Sequence, residues 1–375
     1  MRSRILCSAV SLALFVLLSG CDDDPVKTPG CETGPQAVIT TTDYSTGALS
    51  SVSLDGSFKV RSNAASIHSD AVVRVFGDLV YVVNRYQADN IQIVDPADCF
   101  STIRQFSVGN GSDPHDIAVA SPTRAYVPRY NETDLWIVDP STGTHTGTID
   151  LSALADGDGI PEMDQVLLAD GMLFVTIQRA DRNQLPWSPD GESYVAVVDV
   201  AADTLLDTDA ATPGVQPITL PAANPFSTLQ RDAATGNLYV AGVGEWGVAD
   251  AGVAWVSAAS LTGAGLSLTG AGAGGDITDV EIVSAMRGYA IVTDAVYSTT
   301  LLAFDPASGA VTDTVYAPGT FSLQDAEVSP GGDLYLADRS VTAPGIRIYG
   351  AATGIEKTTS PIDVGLPPFN IDFWE

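Results

Sequence analysis

The sequence has few basic residues and few histidines. Its 375 residues include 17 Lys and Arg against 46 Asp and Glu, a net charge of −29, and only three His. Nucleic-acid binding needs a positive surface, so this composition argues against nucleic acid as a partner. The same charge disfavours contact with anionic lipid, and any link to a membrane should therefore be an anchor alone.

The usual catalytic motifs are also missing from the sequence. It contains no CxxCH haem site, no GxSxG elbow, no HExxH zinc motif and no phosphate-binding loop of the GxxxxGK type. No pair of residues forms a recognisable nucleophile and base. These absences favour a non-enzymatic protein, and they leave open an enzyme whose site has an unfamiliar form.

The N-terminus has the pattern of an export signal. Arg2 and Arg4 precede an apolar run, Ile5 to Leu18, that is too short to span a bilayer comfortably. The following Leu-Ser-Gly-Cys sequence, which ends at Cys21, resembles the lipobox of bacterial lipoproteins. That resemblance implies a signal peptide over residues 1–20 and a lipid on the cysteine. An ordinary signal peptide with an incidental cysteine is the alternative.

Residues 21–35 are expected to form a flexible tether, since they are charged and contain proline. The lipid would hold the protein in the cell envelope, with the folded part in the periplasm or on the cell surface. Asp22 directly after the cysteine resembles the inner-membrane retention signal of enteric bacteria. That rule is not general, so the choice of membrane stays open.

Two of the four cysteines remain for the folded part of the exported chain. Cys7 leaves with the signal peptide and Cys21 takes the lipid, which leaves Cys31 and Cys99. An exported compartment permits a disulfide between them, which would pin the end of the tether to the body of the fold. Two free thiols are the alternative.

One pattern of four short apolar strands recurs at intervals of about 45 residues. Six copies begin at or near Asp70, Asp116, Asp164, Ser227, Asp279 and Asp325. Residues 37–62 contain only three strands, and the last residues, PPFNIDFWE, align with the first-strand segment DPHDIAVAS. The pattern predicts an all-β, seven-bladed β-propeller of four-stranded blades over residues 36–375. Its ring is closed by the C-terminal strand, which joins the N-terminal blade.

The segments YVVNRYQADNIQIVDPAD and AYVPRYNETDLWIVDPSTG resemble the YVTN-type repeats of bacterial surface and periplasmic proteins, which are related to quinoprotein and lactonase propellers. The resemblance covers about residues 37–375. It implies that ligands bind over the central channel, on the face formed by loops that enter the first strands and loops that follow the second strands. It does not imply one function, since such propellers include binding proteins, lyases, lactonases and redox enzymes.

Aligned first strands place a polar residue at one position of every blade. This predicted ring comprises Asp70, Asp116, Asp164, Ser227, Asp279, Asp325 and Asn370. In one interpretation the carboxylates accept backbone hydrogen bonds from their own loop or the next blade. In the other, their converging oxygens bind a cation such as Ca²⁺ or another ligand.

Arginines are scarce, yet five of them follow the second strands on this same face: Arg85, Arg129, Arg179, Arg182 and Arg339. They either pair with the Asp ring or recognise an anionic or carbohydrate ligand. The loop Arg179–Ser193 is long and contains Trp187, and we interpret it as an ordered flap. The glycine-rich segment Leu261–Asp276 is interpreted as spacing between blades.

His68 and His115 come just before the ring positions of adjacent blades, where Glu162 occupies the matching place in the next blade. Together they could bind a divalent metal at the channel mouth or act as general acid and base. The alternative is two solvated loop histidines.

Two functions follow as hypotheses. The first is a lipid-anchored, monomeric binding module whose channel mouth holds an unknown protein, small molecule or carbohydrate. Its expected ligand-binding residues are Asp70, Asp116, Asp164, Asp279, Asp325, Arg85, Arg129, Arg179, Trp187 and Arg339. The second is a metal-assisted hydrolase or lyase that uses His68, His115 and the Asp ring.

Overall fold

A computed structural model describes residue 31, residues 34–183 and residues 185–375. Within this part the chain forms seven β-sheet blades and almost no helix, which confirms the predicted propeller. The expected signal peptide, the lipidated Cys21 and most of the tether lie outside the described residues. Across the described residues, no helix combines the length and apolar character needed to cross a bilayer.

The first blade is built from both ends of the chain. Its strands are β1 (Gln36–Thr42), β2 (Gly47–Ser53), β3 (Val60–Ile67) and, innermost, the last strand β30 (Pro368–Trp374). Strand β30 runs antiparallel to β1, with Ile371 opposite Ile39. The predicted closure of the ring by the C-terminal strand is therefore confirmed.

Blades 2, 3 and 4 follow in chain order, each with its first strand innermost. Blade 2 comprises β4 (Ala71–Phe76), β5 (Leu79–Asn84), β6 (Asn90–Asp95) and β7 (Ser101–Ser107). Blade 3 comprises β8 (Ala118–Ser121), β9 (Arg124–Val127), β10 (Asp134–Asp139) and β11 (Thr144–Asp150). Blade 4 comprises β12 (Met163–Ala169), β13 (Met172–Ile177), β16 (Tyr194–Asp199) and the short outer strands β17 (Thr204–Leu205) and β18 (Ile218–Thr219). The flap contributes a separate hairpin, β14 (Ala180–Asp181) and β15 (Ser188–Pro189).

Blades 5, 6 and 7 complete the ring. Blade 5 comprises β19 (Gln230–Arg231), β20 (Leu238–Gly242), β21 (Gly252–Ser257) and β22 (Thr262–Thr269). Blade 6 comprises β23 (Asp276–Ser284), β24 (Arg287–Thr293), β25 (Thr299–Asp305) and β26 (Ala310–Tyr316). Blade 7 comprises β27 (Leu323–Val328), β28 (Asp333–Asp338) and β29 (Gly345–Gly350), and its outer edge is completed by isolated bridges at Glu356 and Ile362. Among the described residues, the helical segments are Pro96–Asp98, Ser152–Leu154 and α1 (Gly270–Ala273).

The glycine-rich segment Leu261–Asp276 was expected to be a spacer, and this expectation is wrong. It contains β22, the outer strand of blade 5, and α1. A Cβ on Gly263 would lie 2.4 Å from the carbonyl oxygen of Thr219, so only glycine fits where this strand approaches blade 4. Pairing of backbones needs no apolar side chains. The strand therefore lacks the apolar residues from which a strand is predicted.

The hydrophobic core lies between blades, because each sheet buries its two faces against its neighbours. One cluster joins Val38 and Leu49 of blade 1 to Val73 and Val80 of blade 2, with Trp374 of the closing strand among them. Cys31 and Cys99 form a disulfide with a Cα–Cα separation of 5.0 Å. This bond ties the residue before blade 1 to the segment after β6.

Trp374 should be critical for stability. Its side chain is 6% exposed and its indole N–H donates to the carbonyl of Asp78 at 3.1 Å, across the junction between blades 1 and 2. Replacing it with alanine should lower the free energy of unfolding by about 3–5 kcal/mol, measured by chemical denaturation. Phe321→Ala, at a ring that is 59% exposed, is the matched control and should change stability little. Equal losses in the two variants would contradict this account of the closure.

Candidate functional site

Carboxylates at the innermost strands join several blades to the next. Asp116 accepts a hydrogen bond from the backbone N–H of Val166 at 3.0 Å, and Asp279 accepts one from Ala326 at 2.8 Å. Asp325 accepts from Ile371 at 2.7 Å. Each donor lies on the innermost strand of the following blade, so these side chains hold neighbouring blades in register.

The register of these bonds corrects the predicted ring at three positions. In blade 5, the bond from the backbone N–H of Ile282 to Gln230 matches Gln230 with Glu281, so Thr228 rather than Ser227 matches Asp279. The side-chain oxygen of Asn370 accepts from the backbone of Val73, which places Val72 rather than Asp70 at the ring position of blade 2. In these blades the ring residue comes directly before the residue whose backbone N–H donates to the ring residue of the preceding blade. Since Val166 donates to Asp116, the ring residue of blade 4 is Gln165 and not Asp164. The loops that enter these strands differ in length, and alignment of one sequence does not reveal such shifts.

Further acidic side chains line the channel below the ring. Glu281 accepts from the backbone N–H of Val328 at 3.0 Å, and Asp372 accepts from that of Val75 at 2.7 Å. Arg74, on the innermost strand of blade 2, lies among these acids, and its Nε lies 2.7 Å from Asp116. Arg74 was not among the predicted site residues, although its place in the first strand of blade 2, on the same face as Val72, could have indicated it.

Burial shifts the titration of these carboxylates. It raises the pKa of Glu281 to about 8 and that of Asp325 to about 7. The pKa values of Asp279 and Glu327 are raised well above their usual range by burial and by the neighbouring acids. Part of the channel is therefore protonated near neutral pH, which reduces repulsion among the acids.

The mouth of the channel opens into a cavity of about 950 Å³, including open solvent. Every blade contributes to its lining. The aromatic lining residues are Tyr130, Trp187, Phe226, Trp246 and Phe369. The polar lining residues include Arg74, Arg85, His115, Asp164, Gln165, Gln178, Asn224, Asp279, Asp325 and Asn370. Aromatic faces beside amides and carboxylates can bind a ring that carries hydroxyl groups.

His115 is held in this mouth by a chain of hydrogen bonds. Its Nδ1 lies 2.7 Å from Asp164, and because a carboxylate only accepts, that nitrogen carries the proton. Gln178 donates to Asp164 at 2.9 Å and accepts from the hydroxyl of Tyr130 at 2.6 Å. The ring of Tyr130 stacks on the imidazole, with centroids 4.1 Å apart. This arrangement fixes both the orientation and the tautomer of His115.

The second imidazole nitrogen faces another acid. Nε2 of His115 lies 3.7 Å from an oxygen of Asp113. Burial alone would lower the pKa of His115, but its contacts with Asp113 and Asp164 raise it above the ordinary value, while the charge of Arg85 opposes them. A histidine with a raised pKa can exchange a proton with a ligand in the cavity.

The structure places five predicted ligand-binding residues in the lining and five elsewhere. Asp164, Asp279, Asp325, Arg85 and Trp187 line the mouth. Asp70 pairs with Arg85, and Asp116 is fully buried against Arg74. The other three arginines bind the protein itself: Arg129 the carbonyl of Val108, Arg179 that of Glu192, and Arg339 those of Pro367 and Pro368.

His68 and His115 do not share a group of three ligands. Among the described residues, the group of three or more His, Cys, Asp or Glu side chains close enough to hold a metal is Asp156, Asp158 and Glu162. The ring of His68 contacts the backbone of Asp70 at 3.2 Å, and His68 is not among the residues that line the mouth. A metal held by the two histidines stays a prediction.

The sequence matches no family model, and no curated protein matches it. Solved structures show the likeness of fold. A candidate 6-phosphogluconolactonase from Bacteroides fragilis superposes with a TM-score of 0.64 at 13% identity, covering 93% of this chain and all of that one. The periplasmic gluconolactonase of Pseudomonas aeruginosa gives 0.61 at 16% identity, with 91% and 99% coverage. AztD from Citrobacter koseri gives 0.54 at 13% identity, with 90% and 97% coverage.

The channel acids predict an unusual pH dependence of stability. An acid whose pKa is higher in the folded than in the unfolded state stabilises the fold at low pH, and that stability is lost as pH rises through the folded pKa. For Glu281 the loss falls between about pH 4.5 and its folded pKa of about 8. Glu281→Gln should therefore be more stable than the wild type at pH 8, by roughly 2 to 4 kcal/mol, as measured by urea denaturation.

The control for this measurement is Asp313→Asn, which removes an exposed acid from the outer strand of the same blade. It should leave the pH dependence unchanged. A wild-type protein whose stability rises steadily from pH 5 to pH 8 would contradict the assignment.

Proposed function

We propose that this protein hydrolyses a lactone of a sugar or sugar acid at the mouth of the propeller channel. The observation that carries the proposal is His115, which Asp164 fixes at 2.7 Å inside a cavity lined by aromatic and amide groups. The names of two structural neighbours, a candidate 6-phosphogluconolactonase and a gluconolactonase, support this substrate class. The structural similarity to these proteins supports a propeller as the scaffold of the reaction. The side chains that line the mouth support the proposed chemistry.

The lining suits a ring that carries several hydroxyl groups. Trp187 and Trp246 offer apolar faces on which the C–H groups of a sugar can pack. Trp187 lies in the flap of blade 4, and Trp246 lies in the long loop between β20 and β21 of blade 5. Gln165, Asn224 and Asn370 supply amide donors and acceptors between them. Rigid aromatic faces with a few polar groups are typical of small-molecule sites.

In the proposed reaction, neutral His115 takes a proton through Nε2 from a water molecule that attacks the lactone carbonyl. Asp164 stabilises the imidazolium that forms, because Nδ1 already donates to it. The ring C–O bond breaks, and the proton passes from the imidazolium to the leaving ring oxygen. Arg85 lines the same cavity and is close enough to influence His115, so it can stabilise the developing oxyanion.

Ligand binding without turnover is the second candidate, and one observation favours it. Both imidazole nitrogens face carboxylates, at 2.7 and 3.7 Å, so His115 can serve as a structural cation that shapes a binding site. In that case the same sugar-like ligands bind to the protein and are not hydrolysed.

The proposal predicts that δ-gluconolactone is opened faster than its spontaneous hydrolysis, as followed by pH-stat. His115→Ala should reduce the catalysed rate at least about 100-fold, since a general base contributes 10²–10⁴-fold. His68→Ala is the matched control, because His68 does not line the cavity, and it should keep its activity. Loss of activity in both variants would favour the metal site instead, and binding without hydrolysis would favour the second candidate.

Asp113→Asn provides a separate test through pH. Asp113 helps to raise the pKa of His115, so removing its charge should lower that pKa. Since the neutral imidazole is the active form, the rise of activity with pH should begin at lower pH in this variant than in the wild type. An unshifted profile would mean that His115 is not the base.

We further propose that the propeller is anchored in the cell envelope by a lipid on Cys21. The support is the lipobox-like sequence and the placement of Cys31, whose disulfide to Cys99 fixes the point where the tether meets the ring. Expressed in a bacterial host, the chain should incorporate a labelled fatty acid and partition into detergent. Cys21→Ser should abolish both, while Cys31→Ser should leave labelling intact; equal labelling of the two variants would contradict the anchor.

A further inference from the structure

Three acids meet in the loop that leads into blade 4. Asp156, Asp158 and Glu162 each offer a carboxylate oxygen, and these oxygens lie within 4.8 Å of one another. Glu162 is fully buried, whereas Asp158 is exposed at the rim. The group faces the base of the flap, Arg179–Ser193.

Two oxygens of this group are buried without a hydrogen-bond partner. They are Oδ2 of Asp156 and Oε1 of Glu162. The other oxygen of Glu162 accepts from the backbone N–H of Ala180 in the flap at 3.2 Å. An unsatisfied buried carboxylate oxygen is costly, and a fully buried one that points into a cluster of acids calls for a cation.

Arg182 supplies only part of the compensating charge. Its Nε lies 3.2 Å from Oε1 of Glu162 without hydrogen-bond geometry, and its Nη2 lies 3.1 Å from Asp158. A further acid, Asp190, is close by, since a Cβ on Gly157 would lie 3.4 Å from its Oδ2. Arg182 therefore contacts Asp158 and Glu162, and this pairing leaves the buried Oδ2 of Asp156 without a hydrogen-bond partner.

The spacing and chemistry of the group match a hard divalent cation. Asp156 and Asp158 are each followed by a glycine, and Glu162 comes three residues after Gly159, whose φ of +89° lets the loop turn back so that its carboxylates converge. Carboxylate oxygens suit Ca²⁺, whereas transition metals such as zinc and copper are bound by imidazole and thiolate ligands.

We infer that a calcium ion binds to Asp156, Asp158 and Glu162 and fastens the flap to the ring. The flap already contacts the loop through Ala180 and Arg182, and it carries Trp187, which stacks near Tyr130 with centroids 6.0 Å apart. The ion would therefore order the aromatic wall of the channel mouth. The calcium site does not depend on the proposed hydrolysis and can be tested without a substrate.

The experiment uses the full chain after exhaustive dialysis against EGTA. Calorimetric titration with CaCl₂ should show one ion bound per chain, a rise in Tm, and slower tryptic cleavage after Arg179 and Arg182. MgCl₂ at equal concentration should bind at least about tenfold more weakly, because Mg²⁺ demands stricter octahedral geometry and releases its water reluctantly.

Asp158→Asn is the main variant, because this residue is exposed and its loss should not prevent folding. It should weaken calcium binding at least about tenfold and remove the calcium-dependent protection of the flap. Glu162→Gln should abolish binding, while Asp209→Asn, an exposed acid of the same blade, should behave as the wild type.

One result would overturn the inference: calcium neither binds nor changes Tm or cleavage in the wild type, and Arg182→Gln alone destabilises the flap. Arg182 would then be the sole counterion of the cluster. Calcium binding that persists unchanged in both Asp158→Asn and Glu162→Gln would also reject this location for the site.

Discussion

The structure depends on the pairing of the last strand with the first. Strand β30 runs beside β1 from Gln36 to Thr41, and this contact turns an array of seven blades into a closed ring. In a closed ring both faces of every blade are covered by neighbouring blades, and blade 1 gains the innermost strand that its N-terminal part lacks. The shared core at the junction, around Trp374, is the part that an open array would lose.

Closure also determines the chemistry of the channel. Asp325 accepts from the backbone of the C-terminal strand, and Asn370 of that strand accepts from the backbone of blade 2, so the hydrogen bonds between blades continue across the chain ends. Buried carboxylates make poor stabilisers unless their oxygens are satisfied. Here backbone N–H groups of the next blade and the guanidinium of Arg74 satisfy several of them, and protonation lowers the charge of others.

The functional asymmetry of the molecule lies in blades 3 to 5. His115 belongs to blade 3, its partner Asp164 and the flap belong to blade 4, and Trp246 belongs to the long loop of blade 5. The remaining blades contribute ring residues and few aromatic groups to the mouth. The repeated blades therefore form a rigid scaffold, and the irregular loops of blades 3 to 5 carry the specific site.

Strand repeats and turn residues determined the fold by themselves. The number of blades and the closing role of NIDFW could be read from the chain because four-stranded blades impose a regular spacing of apolar segments. The prediction of a disulfide between Cys31 and Cys99 needed only residue counting and an assumed compartment. The outer strand β22 escaped detection, because glycine-rich strands lack the apolar alternation on which sequence reasoning relies.

Only the tertiary structure decided which polar residues act together. Asp70 and Asp164 align with the ring in sequence but lie one or two residues away from it, since loop lengths before the strands differ. The partnership of His115 with Asp164 spans 49 residues, and the cluster of Glu162 with the flap spans the whole hairpin of blade 4. Such contacts depend on distances between blades, which local sequence patterns do not encode. The sequence alone therefore determined the closed propeller, and the packing of its blades determined the site.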